Sequence, residues 1–176
     1  MSKERDLILP GISAEGGRWA DLGSGTGIFT RTLRGIVGGD AEIFSVDRDA
    51  GSLAEQRRAF AAEYPDATVH YLHADFTQLL DFPPLDGILM ANSLHYVRYD
   101  RQQDVLRQIV GYLRPEGRLI IVEYNARHGN PWVPYPVDYA LFVSLANGAG
   151  LRDIRRLAAV PSRFLNEMYA ASGVRP

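Results

Sequence analysis

The stretch Trp19-Ala20-Asp21-Leu22-Gly23-Ser24-Gly25-Thr26-Gly27 constrains this chain more than any other. An apolar run ends in an acid and then gives way to glycines at alternate positions. That reads as the end of a buried strand, a tight turn and the start of a helix. Glycines there leave no Cβ to hold a ligand off, and they permit the positive φ that a sharp strand-to-helix turn needs. Such a backbone can press against a nucleotide-like molecule. The rest of the chain decides which one.

The pattern after the turn repeats. Strands are predicted over 17–22, 41–46, 69–74, 85–91 and 118–122, with helices over 28–37, 52–64, 100–113 and 137–146. Apolar residues at Ile28, Phe29, Leu33, Ile36 and Val37 share one helix face, and so do Val105, Leu106, Ile109, Val110 and Leu113. Strands alternating with helices imply βαβ units and a parallel sheet covered on both faces. The run Leu119-Ile120-Ile121-Val122 suits a central parallel strand. Residues 114–117 read as a tight loop and 123–138 as a longer one. Two last strands, 154–159 and 167–171, are joined by the short connection 160–166, so they are expected to be antiparallel neighbours. The expected fold class is α/β: a Rossmann-like doubly wound sheet of five parallel strands plus a C-terminal antiparallel hairpin.

Length and composition fit that reading. The 176 residues are expected to form one domain, 1–176, in which 1–16 is a short N-terminal arm without a full cap. Within the arm, Leu7-Ile8-Leu9 is either a docking segment or a frayed end. The net charge of −2 lacks the basic excess of a phosphate-gripping protein, so nucleic acid is not the expected partner. Without cysteine there is no thiolate nucleophile, disulfide or cysteine metal site. The four histidines show no metal-ligand spacing, and no metal is expected. No apolar run has membrane-spanning length and no export signal opens the chain, which points to a cytoplasmic protein.

Two cofactor classes use a glycine turn after the first strand. The dinucleotide fingerprint G-x-G-x-x-G/A counted from Gly23 puts its third small residue at position 28, which is Ile28. The glycines fall instead at 23, 25 and 27, and Asp21 would repel a pyrophosphate but suits a cationic ligand. The sequence D-x-G-x-G-x-G resembles the first motif of class I S-adenosylmethionine-dependent methyltransferases. The resemblance covers roughly 18–172. It implies contacts to the methyl donor from Asp21, Leu22, Gly23, Ser24, Gly25 and Gly27. It implies that Asp47 takes both ribose hydroxyls, that Asp75 accepts from the adenine amino group beside the Phe76 ring, and that Asn92 closes the site after strand four. Ser93-Leu94-His95-Tyr96-Val97 and the run 113–119 resemble the family's segments before and after its fourth helix. Family members often carry an apolar residue after the ribose acid. Here it is Arg48, whose guanidinium either stacks on the adenine or points to solvent.

The implied reaction is in-line methyl transfer to a small-molecule acceptor. His95 is the candidate catalytic base, and His95, Tyr96, Tyr124, His128, Trp132 and Tyr135 are the candidate acceptor contacts. The aromatic loop after strand five either lines the substrate or simply packs down. With so short an arm, the site is either open or covered by another subunit, which would make a homo-oligomer. Two other classes remain: a donor-binding scaffold or sensor with little methyl transfer, and a nicotinamide oxidoreductase, which Ile28 disfavours.

Overall fold

A computed structural model describes residues 2–13, 15–162 and 164–176. Met1, Ala14 and Arg163, the last within the 160–166 connection, lie outside the described residues. The elements run α1 (Lys3–Ile8), β1 (Arg18–Leu22), α2 (Ile28–Val37), β2 (Glu42–Asp47), α3 (Ala50–Glu63), β3 (Thr68–His73), β4 (Leu85–Ala91), α4 (Tyr99–Gly111), β5 (Leu113–Tyr124), α5 (Tyr139–Gly148), β6 (Arg152–Pro161) and β7 (Glu167–Val174). The strands form one seven-stranded sheet in the order β3-β2-β1-β4-β5-β7-β6. The first five are parallel; β7 is antiparallel to both β5 and β6.

Side-chain alternation along each strand divides the core between the two faces. On β5, Leu119 and Ile121 pack with Leu106 and Ile109 of α4 and Phe142 of α5. Ile120 and Val122 face the other way, towards Leu33 and Val37 of α2 and Leu7 and Ile8 of α1. This is the period-two pattern of a strand buried on both faces. Helix boundaries follow local chemistry. Asp49 accepts from the Ser52 N–H at 2.8 Å to cap α3, and Asp138 accepts from the Leu141 N–H at 2.8 Å to cap α5.

The structure corrects the sequence pattern in one place and sharpens it in two others. First, residues 114–117 are not a separate loop. β5 starts at Leu113, and a register shift between Leu85 and Gly87 together with Glu116 at φ 65° absorbs the irregularity. Second, the hairpin is inserted backwards. β7 takes the inner place because Tyr169, Ala170 and Ala171 can be buried on both sides, while β6, with exposed Arg152, Arg155 and Arg156, takes the edge. Third, the N-terminal arm is docked. Ser2 accepts from the Arg5 N–H to cap α1, and Leu7 and Ile8 are fully buried against α2 and β6. Burying side chains of that size is worth about 1.5–3 kcal/mol each, enough to hold so short a helix in place.

Candidate functional site

The glycine turn leaves β1 at the carboxyl edge of the sheet. The Gly23 and Ser24 N–H groups donate to the Val46 carbonyl at 2.8 and 3.0 Å, which ties the turn to the end of β2. Gly23, Gly25 and Gly27 all have positive φ, at 78°, 54° and 84°. They differ in what surrounds them. A Cβ on Gly23 would lie 2.4 Å from Ser93 Cβ, and one on Gly27 would lie 2.3 Å from Gln56 Cγ. Among the described residues, a Cβ on Gly25 would meet nothing within 4 Å. The first and third glycines let the protein pack against itself. The middle one faces open space.

Beneath the turn lies a buried polar network that sequence reasoning missed. Ser45 Oγ donates to Gln56 Oε1 at 2.8 Å and lies 2.7 Å from Ser24 Oγ. Thr30 Oγ1 donates to Asp21 Oδ2 at 2.6 Å. Thr30 sits on the buried face of α2 with Leu33 and Val37. A hydroxyl on an apolar stripe is a signal that it has a polar partner. Asp21 is itself buried, with Oδ1 unpartnered. Burial pushes its carboxyl up to about 7; the Thr30 hydroxyl pulls it back and the Asp47 charge adds to the rise. The acid therefore acts from below the turn and does not form the cavity wall.

Two cavities meet at Gly23 and Asn92. The first, about 170 Å³, is bordered by Asp47, Arg48, Asp75, Phe76, Ser93 and Tyr96. Asp47 accepts from the Gly25 N–H at 2.7 Å through Oδ2 and from the Asp49 N–H at 2.8 Å through Oδ1. Each oxygen keeps a second lone pair, so the carboxylate can still take two adjacent hydroxyls. Asp75 Oδ1 is engaged by the Thr77 N–H and hydroxyl, at 2.9 and 2.8 Å. Arg48 is exposed on the rim. The second cavity, about 490 Å³, has Ser24, Gly25 and Thr26 on its floor. Its walls are Ile28 and Phe29 of α2, Tyr124 of β5, and Phe164 and Met168 of the hairpin, with Lys3 and Glu4 at the lip.

Most of the cofactor candidates come together here. Gly23, Ser24, Gly25, Asp47, Arg48, Asp75, Phe76 and Asn92 line one cavity or both, while Asp21, Leu22 and Gly27 shape the turn from within. Asn92 holds φ 53°, and its Oδ1 and the Ser93 Oγ are buried without partners among the described residues. Buried orphans cost free energy that a ligand can restore. The open face of Gly25 and the spare lone pairs of Asp47 fit a ligand with a ribose and a polar tail.

The acceptor candidates divide. Tyr96 lines the first cavity and Tyr124 the second. Burial raises the Tyr124 hydroxyl above its usual range, helped by the Glu123 and Tyr96 charges. His95, His128, Trp132 and Tyr135 line neither cavity. His128 and Trp132 are exposed, and Tyr135 turns towards α4, stacking edge-on against Tyr99 at 5.5 Å. The loop after Tyr124, the last residue of β5, thus runs away from the second cavity. α1 and the β6–β7 turn take its place.

Residues 20–117 match the family described as a methyltransferase domain. This chain belongs to that family. A curated relative, the ubiquinone/menaquinone biosynthesis C-methyltransferase UbiE of Ectopseudomonas mendocina, is 31% identical over 131 residues, 73% of this chain and 49% of the relative. UbiE of Pseudomonas aeruginosa is 28% identical over 130 residues. The chain spans about half the length of the curated relatives it matches. Among solved structures, the N-methyltransferase NodS from Bradyrhizobium japonicum superposes with TM-score 0.79 at 13% identity, covering 99% of this chain and 94% of NodS. YcgJ of Bacillus subtilis gives TM-score 0.80 at 13% identity, covering 98% and 97%. The cofactor of this methyltransferase domain is S-adenosylmethionine, and the residues around the two cavities fit it.

Proposed function

We propose that this methyltransferase domain transfers a methyl group from S-adenosylmethionine to a small, uncharged, largely apolar acceptor. One observation carries the reading: a cavity with a ribose-ready carboxylate joins, at Gly23 and Asn92, a larger one walled in part by Phe29, Phe164 and Met168. Asp47 would hold the ribose hydroxyls, Asp75 and Phe76 the adenine, and the open face of Gly25 the amino-acid tail. When bound, the donor supplies a methyl group made electrophilic by a positively charged sulfur. The chain's own work is then to align the acceptor and keep water away.

The second cavity supports the acceptor class. Ile28, Phe29, Phe164 and Met168 present carbon, and the only charges at its edge among the described residues are Lys3 and Glu4, 3.9 Å apart. An acceptor with a net charge would find no unshared partner there. The curated relatives are named for carbon methylation in ubiquinone and menaquinone biosynthesis. An aromatic acceptor of that kind suits this wall. Lys3 and Glu4 of α1 and Phe164 of the β6–β7 turn stand at the cavity's edge. No helix among the described residues is long and apolar enough to cross a membrane, and a cysteine-free chain of this kind suits work in the cytoplasm.

Calorimetry with S-adenosylmethionine, S-adenosylhomocysteine and NAD tests the donor. Binding of the first two and not of NAD is expected; binding of NAD alone ends the reading. Labelled-methyl transfer is then tried on neutral hydroquinones and phenols beside polyamines and transfer RNA. Label on the neutral aromatics is expected. Label confined to polyamines or RNA overturns the acceptor class, and a chain that binds donor yet labels nothing is a scaffold.

A further inference from the structure

His95 was the expected base, yet its ring is 2% exposed and lines neither cavity. A base must come within about 2.6–3.2 Å of the proton it removes. What His95 does reach is Glu123, the penultimate residue of β5, which is completely buried. Glu123 uses both oxygens. Oε1 accepts from the Leu94 N–H at 2.9 Å and the His95 N–H at 3.2 Å, and Oε2 accepts from His95 Nδ1 at 2.6 Å. One carboxylate thus holds the main chain and the side chain of the turn that follows β4.

That turn belongs to both cavities. Asn92, which lines both, donates its N–H to the Val122 carbonyl at 2.8 Å, one residue before Glu123. The His95 ring lies 4.5 Å from the Tyr96 ring and 5.8 Å from the Tyr124 ring. Tyr96 borders the first cavity and Tyr124 the second. The imidazole therefore backs an aromatic wall of each. The His95 carbonyl also accepts from the Tyr135 N–H at 3.0 Å, which anchors the loop after β5.

We propose that Glu123 and His95 form a positioning pair. They hold the post-β4 turn, and with it Asn92, Tyr96 and Tyr124, in the shape the methyl donor and acceptor require. A buried charged or polar pair contributes little net stability compared with apolar side chains of the same volume. What it supplies here is direction. The carboxylate's three acceptances fix both the backbone of the turn and the tautomer of the ring, with the proton on Nδ1. The proposal rests on the donor-site reading above.

Two amide substitutions separate positioning from base catalysis. The amide nitrogen of His95→Asn falls at the place of Nδ1 and keeps the bond to Glu123; that of His95→Gln reaches the place of Nε2 and loses it. Affinity for S-adenosylhomocysteine is measured by calorimetry. His95→Asn is expected to stay within about threefold of the native chain, and His95→Gln to lose about tenfold or more, the worth of one charge-assisted hydrogen bond. The reverse order, with Gln tolerated and Asn not, overturns the proposal. Nitrogen-15 NMR of the imidazole gives a readout independent of the donor. The native ring is expected as the Nδ1–H tautomer. Glu123→Gln keeps the main-chain acceptances but faces the ring with a donor, so the tautomer should switch to Nε2–H, with circular dichroism checking the fold. A ring that keeps its tautomer in folded Glu123→Gln also overturns the pair. A native chain that binds no S-adenosylhomocysteine removes the donor reading instead and leaves the tautomer test standing.

Discussion

The Gly25 main-chain N–H donates to Asp47 Oδ2 at 2.7 Å, joining the tip of the glycine turn to the acid that ends β2. The two residues are 22 positions apart, and they set each other's place. The acid is aimed at the first cavity because the turn holds it, and the turn is stiff because the acid accepts its N–H. Cofactor affinity and turn geometry are therefore expected to fail together.

Asp47→Ala removes two potential acceptances from the ribose and leaves the Gly25 and Asp49 N–H groups without their side-chain partner. S-adenosylhomocysteine affinity is expected to fall at least about 100-fold, at 1.5–3 kcal/mol per charge-assisted bond. Asp47→Asn should fall less, since its single oxygen can still accept. Calorimetry on the two variants checks the order. Native affinity in Asp47→Ala would remove the ribose assignment.

The glycines should separate binding from folding. At Gly25, φ is 54° and a side chain has open space, so Gly25→Val places its methyls in the second cavity at a local strain of about 1–2 kcal/mol. The protein is expected to fold and to lose donor binding. At Gly23, a methyl would lie 2.4 Å from Ser93 Cβ, so Gly23→Ala should lower the melting temperature as well. Equal melting temperatures for the two variants would contradict this account.

Asp21 gives the fold a pH dependence of known sign. Its carboxyl sits at about 7 in the folded chain against 3.8 in the unfolded one. Between those values the folded state holds a proton that the unfolded state has released. The stabilisation is complete below the lower value and is lost as pH rises through about 7, by at most about 1.4 kcal/mol per pH unit. Asp21→Asn can still accept from Thr30 and carries no charge to desolvate, so its stability should be flatter over this window. Urea unfolding at about pH 5 and pH 8 checks it. Parallel changes in both proteins would mean that Asp21 is not the group responsible.

Leu7 is fully buried in a segment that the sequence left either docked or frayed. Leu7→Ala is expected to cost about 2–4 kcal/mol and to expose the N-terminal arm to protease. A loss of less than about 0.5 kcal/mol, the range of ordinary surface changes, would show that α1 is not anchored.

Trp132 and His128 were acceptor candidates, and both stand exposed away from the cavities. Trp132→Ala and His128→Ala are expected to leave donor affinity and methyl transfer unchanged. Phe164→Ala, at the mouth of the second cavity, should raise the KM for an aromatic acceptor while donor affinity holds. A KM that moves with Trp132 and not with Phe164 would return the acceptor wall to the loop after β5.

The alternation of strands and helices was legible because each element carries its own signal. Leu119 to Val122 is apolar throughout, Val105 to Val110 repeats at helical spacing, and Gly38 and Asp49 mark ends within a residue or two of where they fall. Hidden from the sequence was whatever depended on distant partners. Glu123 reads as a lone acid after a buried strand until packing brings His95, 28 positions away, to 2.6 Å. Nor does any local pattern show that Gln56 of α3 lies across Gly27 and meets Ser45.

The division has a physical cause. By itself the sequence determined the turn from Asp21 to Gly27, because a backbone that must pass through positive φ admits few residues other than glycine, and that requirement is local. It determined the acid that ends β2 and the one that follows β3 for a similar reason: they fall where a strand must end. Only the tertiary structure decided what faces the glycine turn across the second cavity. A six-residue helix docks through Leu7 and Ile8, and a reversed hairpin brings Phe164 and Met168 beside it. Those contacts join the two ends of the chain, and no local pattern encodes a contact of that span.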